Sequence, residues 1–152
     1  MKLIVFSGLF LLTVLASANE AQIGIVLGST TGLSGKIDIG GNRSIDGVLA
    51  YSTDSKYGNY FHIDYLIEKA RNFAMGSVSP VYLYYGPGLR LINIRTGVDS
   101  GRTKIGFRGP IGINTQTSNP DLELFGEVAP TVDLTPSTSV YIEVGIGIRF
   151  RF

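Results

Sequence analysis

The sequence predicts an all-β fold: an antiparallel, up-and-down transmembrane β-barrel of eight strands. Three observations predict it. From Val140 to Phe152 the chain alternates without exception. Val140, Ile142, Val144, Ile146, Ile148, Phe150 and Phe152 stand against Tyr141, Glu143, Gly145, Gly147, Arg149 and Arg151. Period two marks a strand with one apolar and one polar face. Shorter runs of the same kind fill the rest of the chain, split by turn residues, with no helical period of useful length. No later stretch is long enough for a membrane helix, which needs roughly 20 apolar residues, so any membrane-spanning structure must be β and closed.

The first residues read as a leader. Met1-Lys2 is a short positive start, Leu3 to Ala16 is apolar apart from Ser7, Gly8 and Thr13, and Ala16-Ser17-Ala18 is an A-x-A site. This predicts a secretory signal peptide over 1–18 and a barrel domain over 19–152. The leader's apolar run is too short to span a bilayer as a helix.

The strands follow in order. Ile23, Ile25 and Leu27 face away from Gly24, Val26 and Gly28; Leu33, Gly35, Ile37 and Ile39 face away from Ser34, Lys36 and Asp38. Thr30-Thr31-Gly32 between them is a turn or a kink. A turn gives eight strands; a kink makes Ile23 to Ile39 one strand and gives seven. Single-chain bacterial barrels have an even number, so eight is expected. Gly40-Gly41-Asn42 is a turn signal. Ile45, Gly47, Leu49 and Tyr51 then oppose Asp46, Val48 and Ala50, before a polar loop from Asp54 to Asn59. Phe61, Ile63, Tyr65 and Ile67 oppose His62, Asp64, Leu66 and Glu68, and Arg71 to Ser79 reads as a connection. Val81, Leu83, Tyr85, Leu89 and Leu91 oppose Tyr82, Tyr84, Gly86, Gly88 and Arg90; Arg95 to Arg102 is a charged loop. Ile105, Phe107, Ile111 and Ile113 oppose Gly106, Arg108, Gly112 and Asn114. After a turn at Thr117 to Asp121, Leu122, Leu124, Val128 and Val132 oppose Glu123, Phe125, Glu127, Ala129 and Asp133. Pro136-Ser137-Thr138 leads into the last strand. Pro87, Pro110 and Pro130 fall inside predicted strands, and a proline cannot donate to a ladder, so bulges or strand ends are expected at all three.

Alternation alone does not say which face points out. A membrane barrel turns its apolar face to lipid, whereas a soluble lipocalin-like barrel turns it inward. The polar face favours the membrane. It mixes glycine with charges of both signs, among them Asp38, Glu68, Glu123 and Asp133. The interior of an eight-stranded barrel is only wide enough to be filled by side chains. Gly86, Gly88, Gly106, Gly112, Gly145 and Gly147 are expected to make room there for long Arg and Glu side chains. Tyr51, Phe61, Phe150 and Phe152 fall near strand ends, where aromatic girdles sit.

The last strand, ending on Phe152, resembles the closing strand of a bacterial outer-membrane barrel. That resemblance makes Ile146, Ile148, Phe150 and Phe152 the signal read by the barrel-insertion machinery. Further stretches carry the likeness: Thr31-Gly32-Leu33-Ser34-Gly35-Lys36, Ser44-Ile45-Asp46-Gly47, His62-Ile63-Asp64-Tyr65-Leu66, Leu83-Tyr84-Tyr85-Gly86-Pro87-Gly88-Leu89-Arg90, Glu127-Val128-Ala129-Pro130 and Gly145-Ile146-Gly147-Ile148-Arg149. On these the chain is similar to small barrels of the OmpA/OmpX type, and more closely to a group of outer-membrane β-barrel proteins of this size with no settled activity. The resemblance implies an eight-stranded barrel in the outer membrane of a Gram-negative-type bacterium. It implies no particular activity, because that group has no settled one.

An interior charge network is expected from Lys36, Asp46, His62, Asp64, Arg90, Arg108, Glu127, Glu143 and Arg149, with Arg108, Arg149, Glu127 and Glu143 at its centre. Buried charges must be paired, and both signs are plentiful. Its other reading is the lining of a narrow channel for ions or small solutes. His62 and Asp64 share a face and could orient a serine hydroxyl in a rim-located lipid hydrolase, but no serine-containing motif of the barrel lipid A deacylases accompanies them. One His and no Cys argue against zinc, and no cofactor or metal is expected. With 13 basic and 12 acidic residues, the chain has no charge excess to attract nucleic acid. The expected partners are outer-membrane lipid, the insertion machinery and, through the loops, an extracellular or host protein. The leading expectation is a non-enzymatic barrel serving envelope structure or surface interaction.

Overall fold

The computed structural model describes residues 20–51, 57–71 and 80–152. The expected leader, 1–18, lies outside the described residues, and so does the 54–56 part of the expected polar loop. Ten strands follow one another: β1 (Glu20–Gly28), β2 (Gly32–Asp38), β3 (Arg43–Tyr51), β4 (Tyr57–Arg71), β5 (Val81–Tyr85), β6 (Gly88–Ile94), β7 (Thr103–Arg108), β8 (Ile111–Ser118), β9 (Asp121–Thr135) and β10 (Ser139–Arg151). All pairings are antiparallel, and β10 returns to pair with β1, so the sheet closes on itself. A closed sheet has no long free edge to satisfy.

The strand count is ten, not the eight expected, and two prolines make the difference. Pro87 separates β5 from β6, and Pro110 separates β7 from β8. The missing proline N–H interrupts the ladder there. The halves stay in line, because β5 and β6 both pair with β4 while β8 and β7 both pair with β9. The ten strands thus occupy eight positions around the barrel. Pro130 departs from expectation: it sits inside an unbroken β9, paired with Ile142. Gly109 donates its N–H to the Pro130 carbonyl at 2.9 Å, so the donorless proline nitrogen faces the existing break beside Pro110. The expected polar loop over Asp54 to Asn59 also needs correction, since Tyr57 to Asn59 belongs to β4, with a bulge between Tyr57 and Tyr60. Of the expected connection Arg71 to Ser79, Arg71 belongs to β4, and 72–79 lie outside the described residues.

The apolar face points outward. Leu33 is 61% exposed, Leu49 62%, Ile146 64% and Phe107 56%, on four strands around the wall. This is the membrane-type orientation, opposite to that of a soluble barrel. Inside, one small apolar cluster of Val26, Val48, Leu66, Tyr84 and Phe125 is surrounded by buried polar groups.

Register fixes which interior residues meet. Paired residues lead from Arg151 to Gln22, Lys36, Asp46, Asp64, Gly88, Arg108, Thr131 and back to β10 at Tyr141, ten residues from the start. At ~3.3 Å per residue and ~4.8 Å between strands, that stagger tilts the strands by about 40°, within the usual barrel range.

The inward glycines make room, for an Arg or Glu stem as expected at Gly88 (Arg108 Cγ at 3.0 Å) and Gly145 (Glu127 Cγ at 3.8 Å), and mostly for other side chains. A Cβ on Gly88 would lie 1.7 Å from Asp64 Oδ1; on Gly106, 2.6 Å from Asp133 Oδ1; on Gly112, 2.3 Å from the Tyr84 ring; on Gly147, 2.3 Å from the Phe125 ring. Each admits a short or flat side chain from a neighbouring strand. Gly86 meets the Tyr65 carbonyl instead, at 1.7 Å.

Candidate functional site

Alternation sends every second side chain of each strand inward, and tilt brings distant strands' charges to one height. Three clusters result. Nearest the Phe152 end, Lys36 pairs with Glu68 at 2.5 Å and Glu123 at 2.7 Å. Arg149 pairs with Glu123 at 2.8 Å and with Asp46, donates Nε–H to Ser34 at 2.9 Å, and stacks 3.8 Å over the Phe125 ring. Ser44 donates its hydroxyl to Glu68 at 3.0 Å.

In the middle, Arg108 pairs with Glu127 at 2.5 Å and Glu143 at 3.8 Å and donates to His62 Nδ1. The Tyr60 hydroxyl donates to Glu143 at 2.9 Å, and the Tyr84 hydroxyl to Glu127 at 3.1 Å. Toward the other end, Arg90 pairs with Asp133 at 2.6 Å and with Glu143, and Lys104 reaches Asp133 at 3.2 Å and the Tyr141 hydroxyl at 3.1 Å. At the Phe152 rim, Arg151 pairs with Glu20 at 2.8 Å.

All nine interior charges named from the sequence lie inside the barrel. Lys36, Asp46, His62, Asp64, Arg90, Arg108 and Arg149 are buried, and the Glu127 and Glu143 side chains keep 10% and 12% exposure. Of the four placed at the centre, Arg108, Glu127 and Glu143 come together. Arg149 belongs to the neighbouring cluster with Asp46 and Glu123. Asp38 instead accepts the Gly40 N–H in a turn, at 2.9 Å. Lys104 was missed, although it shares the inward parity of Gly106 and Arg108. Glu68, Glu123 and Asp133 were legible as polar-face residues but not as network members. Of the residues expected to form the insertion signal, Ile146, Phe150 and Phe152 point outward, while Ile148 is half-buried.

Asp46, His62 and Asp64 bring three metal-type donor atoms within 4.8 Å of one another. His62 Nε2 lies 3.5 Å from Asp46 and 3.7 Å from Asp64, while both Asp64 oxygens lack a hydrogen bond among the described residues. Each carboxylate already faces a guanidinium, Asp46 that of Arg149 and Asp64 that of Arg108 at 3.5 Å. A metal ion there would meet two positive charges. For hydrolysis His62 is equally ill placed: it is 4% exposed, and no serine hydroxyl among the described residues contacts it.

Tyr84→Phe tests the middle cluster. Glu127 keeps Arg108, so the loss is that of one hydrogen bond, about 1 kcal/mol, read from the urea midpoint of refolding in detergent micelles. A loss above about 3 kcal/mol, the scale of a broken buried pair, would show that Arg108 does not hold Glu127.

No family model matches the chain, and no curated protein matches it. Two solved structures are similar. The N-terminal β-barrel domain of Pseudomonas aeruginosa OprF matches with TM-score 0.50 and 12% identity, over 88% of this chain and 96% of that one. Ail, the attachment invasion locus protein of Yersinia pestis, matches with TM-score 0.39 and 13% identity, over 88% and 94%. At this identity the likeness is one of architecture: the chain has the fold of a small antiparallel β-barrel like the OprF domain.

Proposed function

We propose that the chain is an integral outer-membrane β-barrel protein of a Gram-negative-type bacterium, without enzyme activity. Its ion-paired interior acts as a plug, and its role is envelope structure or surface interaction through the loops opposite Phe152. The observation that carries this reading is the pairing of two faces: an apolar wall turned outward and a charged interior turned in. In water such a wall would expose a continuous apolar surface far beyond the few hundred Å2 a soluble monomer tolerates; in lipid it is at rest. The interior pairs weigh against a channel, because side chains bridge opposite walls at three levels. Residues 29–31, 95–102 and 136–138 connect strands at the end opposite Phe152, where an extracellular or host partner would be met. Outer-membrane lipid and the barrel-insertion machinery are the other proposed partners.

Gel mobility of the outer-membrane fraction tests it, with and without boiling. A folded barrel runs at a shifted position until heated. Recovery in the soluble fraction with no shift would sink the reading. In planar bilayers no steady single-channel conductance is expected; discrete conductance steps would replace the plug with the channel.

A further inference from the structure

We infer that the outer wall beside the β1–β2 turn carries a binding site for one anionic, phosphate-bearing lipid of the surrounding bilayer. The inference rests on the membrane reading above. A groove of about 910 Å3 lies on this wall. Its floor is apolar: Ile25, Leu27, Leu33, Leu49, Phe61 and Leu91. Its border toward the loop end is polar, formed by Asn59, Asn93 and Thr103.

A cation stands beside this groove. The Arg95 guanidinium lies 4.1 Å over the ring of Tyr51, which also lines the groove. Arg95 has no carboxylate partner among the described residues, whereas Arg102 at the same end pairs with Asp99 at 3.1 Å. Arg95 is also seated: a Cβ on Gly58 would come 3.0 Å from its Nε, so the glycine lets the side chain lie across β4. A guanidinium with no carboxylate partner among the described residues, beside an apolar groove, fits a phosphate oxyanion above an acyl chain. Arginine suits phosphate through its planar fork of donors.

The test is native mass spectrometry of the full refolded barrel, released from detergent with phosphatidylglycerol or with phosphatidylcholine of the same chain lengths. One phosphatidylglycerol should be retained roughly five-fold more than phosphatidylcholine, the scale of one exposed charge-assisted contact. Arg95→Gln should abolish that preference, and Arg102→Gln should leave it unchanged. Equal retention of the two lipids by the wild type, or a preference that survives in Arg95→Gln, would overturn the site. The heat-dependent gel shift, measured on the same samples, separates failure of the site from failure of the membrane reading.

Discussion

Arg149→Leu should lower refolding yield more than any loop substitution. The side chain is buried and holds Asp46, Glu123 and Ser34 while covering the Phe125 ring. Leucine leaves two buried carboxylates without their guanidinium. Breaking a buried pair from one side costs about 3–5 kcal/mol, a large part of the roughly 5–15 kcal/mol that holds a domain folded. Glu123 retains Lys36, which limits the damage there, but among the described residues Asp46 retains no ion-pair partner besides His62 at 3.5 Å. The control is Arg102→Leu, an exposed pair worth under about 1 kcal/mol. Arg149→Lys should fall between, since it keeps the charge and loses the fork that reaches three partners. Yields that match between Arg149→Leu and Arg102→Leu would remove the network from any account of stability.

The second large effect is expected from Gly24→Ala. Gly24 pairs with Arg149 across the seam where β1 closes the barrel on β10. A Cβ there would lie 1.8 Å from the Ile148 carbonyl oxygen and 2.6 Å from the Arg149 Cα. Both obstacles are backbone, so they yield only if the closing strands separate. Overpacking of this kind costs about 1–3 kcal/mol or more, and here it acts on the bonds that complete the cylinder. Gly35→Ala in β2 is the matched control, its nearest obstacle being the Gln22 carbonyl at 3.8 Å. Alanine in a strand otherwise gains about 0.5–1 kcal/mol over glycine, so the two variants should shift the urea midpoint in opposite directions. A shift of the same sign and size in both would show that the seam relaxes freely.

The faces of the wall were legible because alternation is local: the exposure of Leu33, Leu49 and Ile146 follows from period two and a choice of inside. That choice rested on the leader with the terminal Phe152, on the charged polar face and on the aromatics near strand ends. The partners of those charges were not legible. Arg149 meets Asp46 and Glu123 because of a ten-residue stagger accumulated over eight positions, a property of all the turns together. Lys104 was within reach of parity but stands beside a charged loop, where the pattern is short and easily read as surface. Pro130 was misjudged because its tolerance depends on what lies opposite, a break in the neighbouring strand that its own sequence does not record.

Those prolines have a mechanical consequence. Tyr65 donates to Pro87 at 2.9 Å, Gly86 to Pro110 at 3.2 Å and Gly109 to Pro130 at 2.9 Å. In each pair the return bond is missing because proline has no hydrogen to give. The three half-made pairs succeed one another across adjacent positions of the wall, so they form a crease. Along it the cylinder resists bending less than elsewhere, and lateral squeezing should flatten the barrel there first.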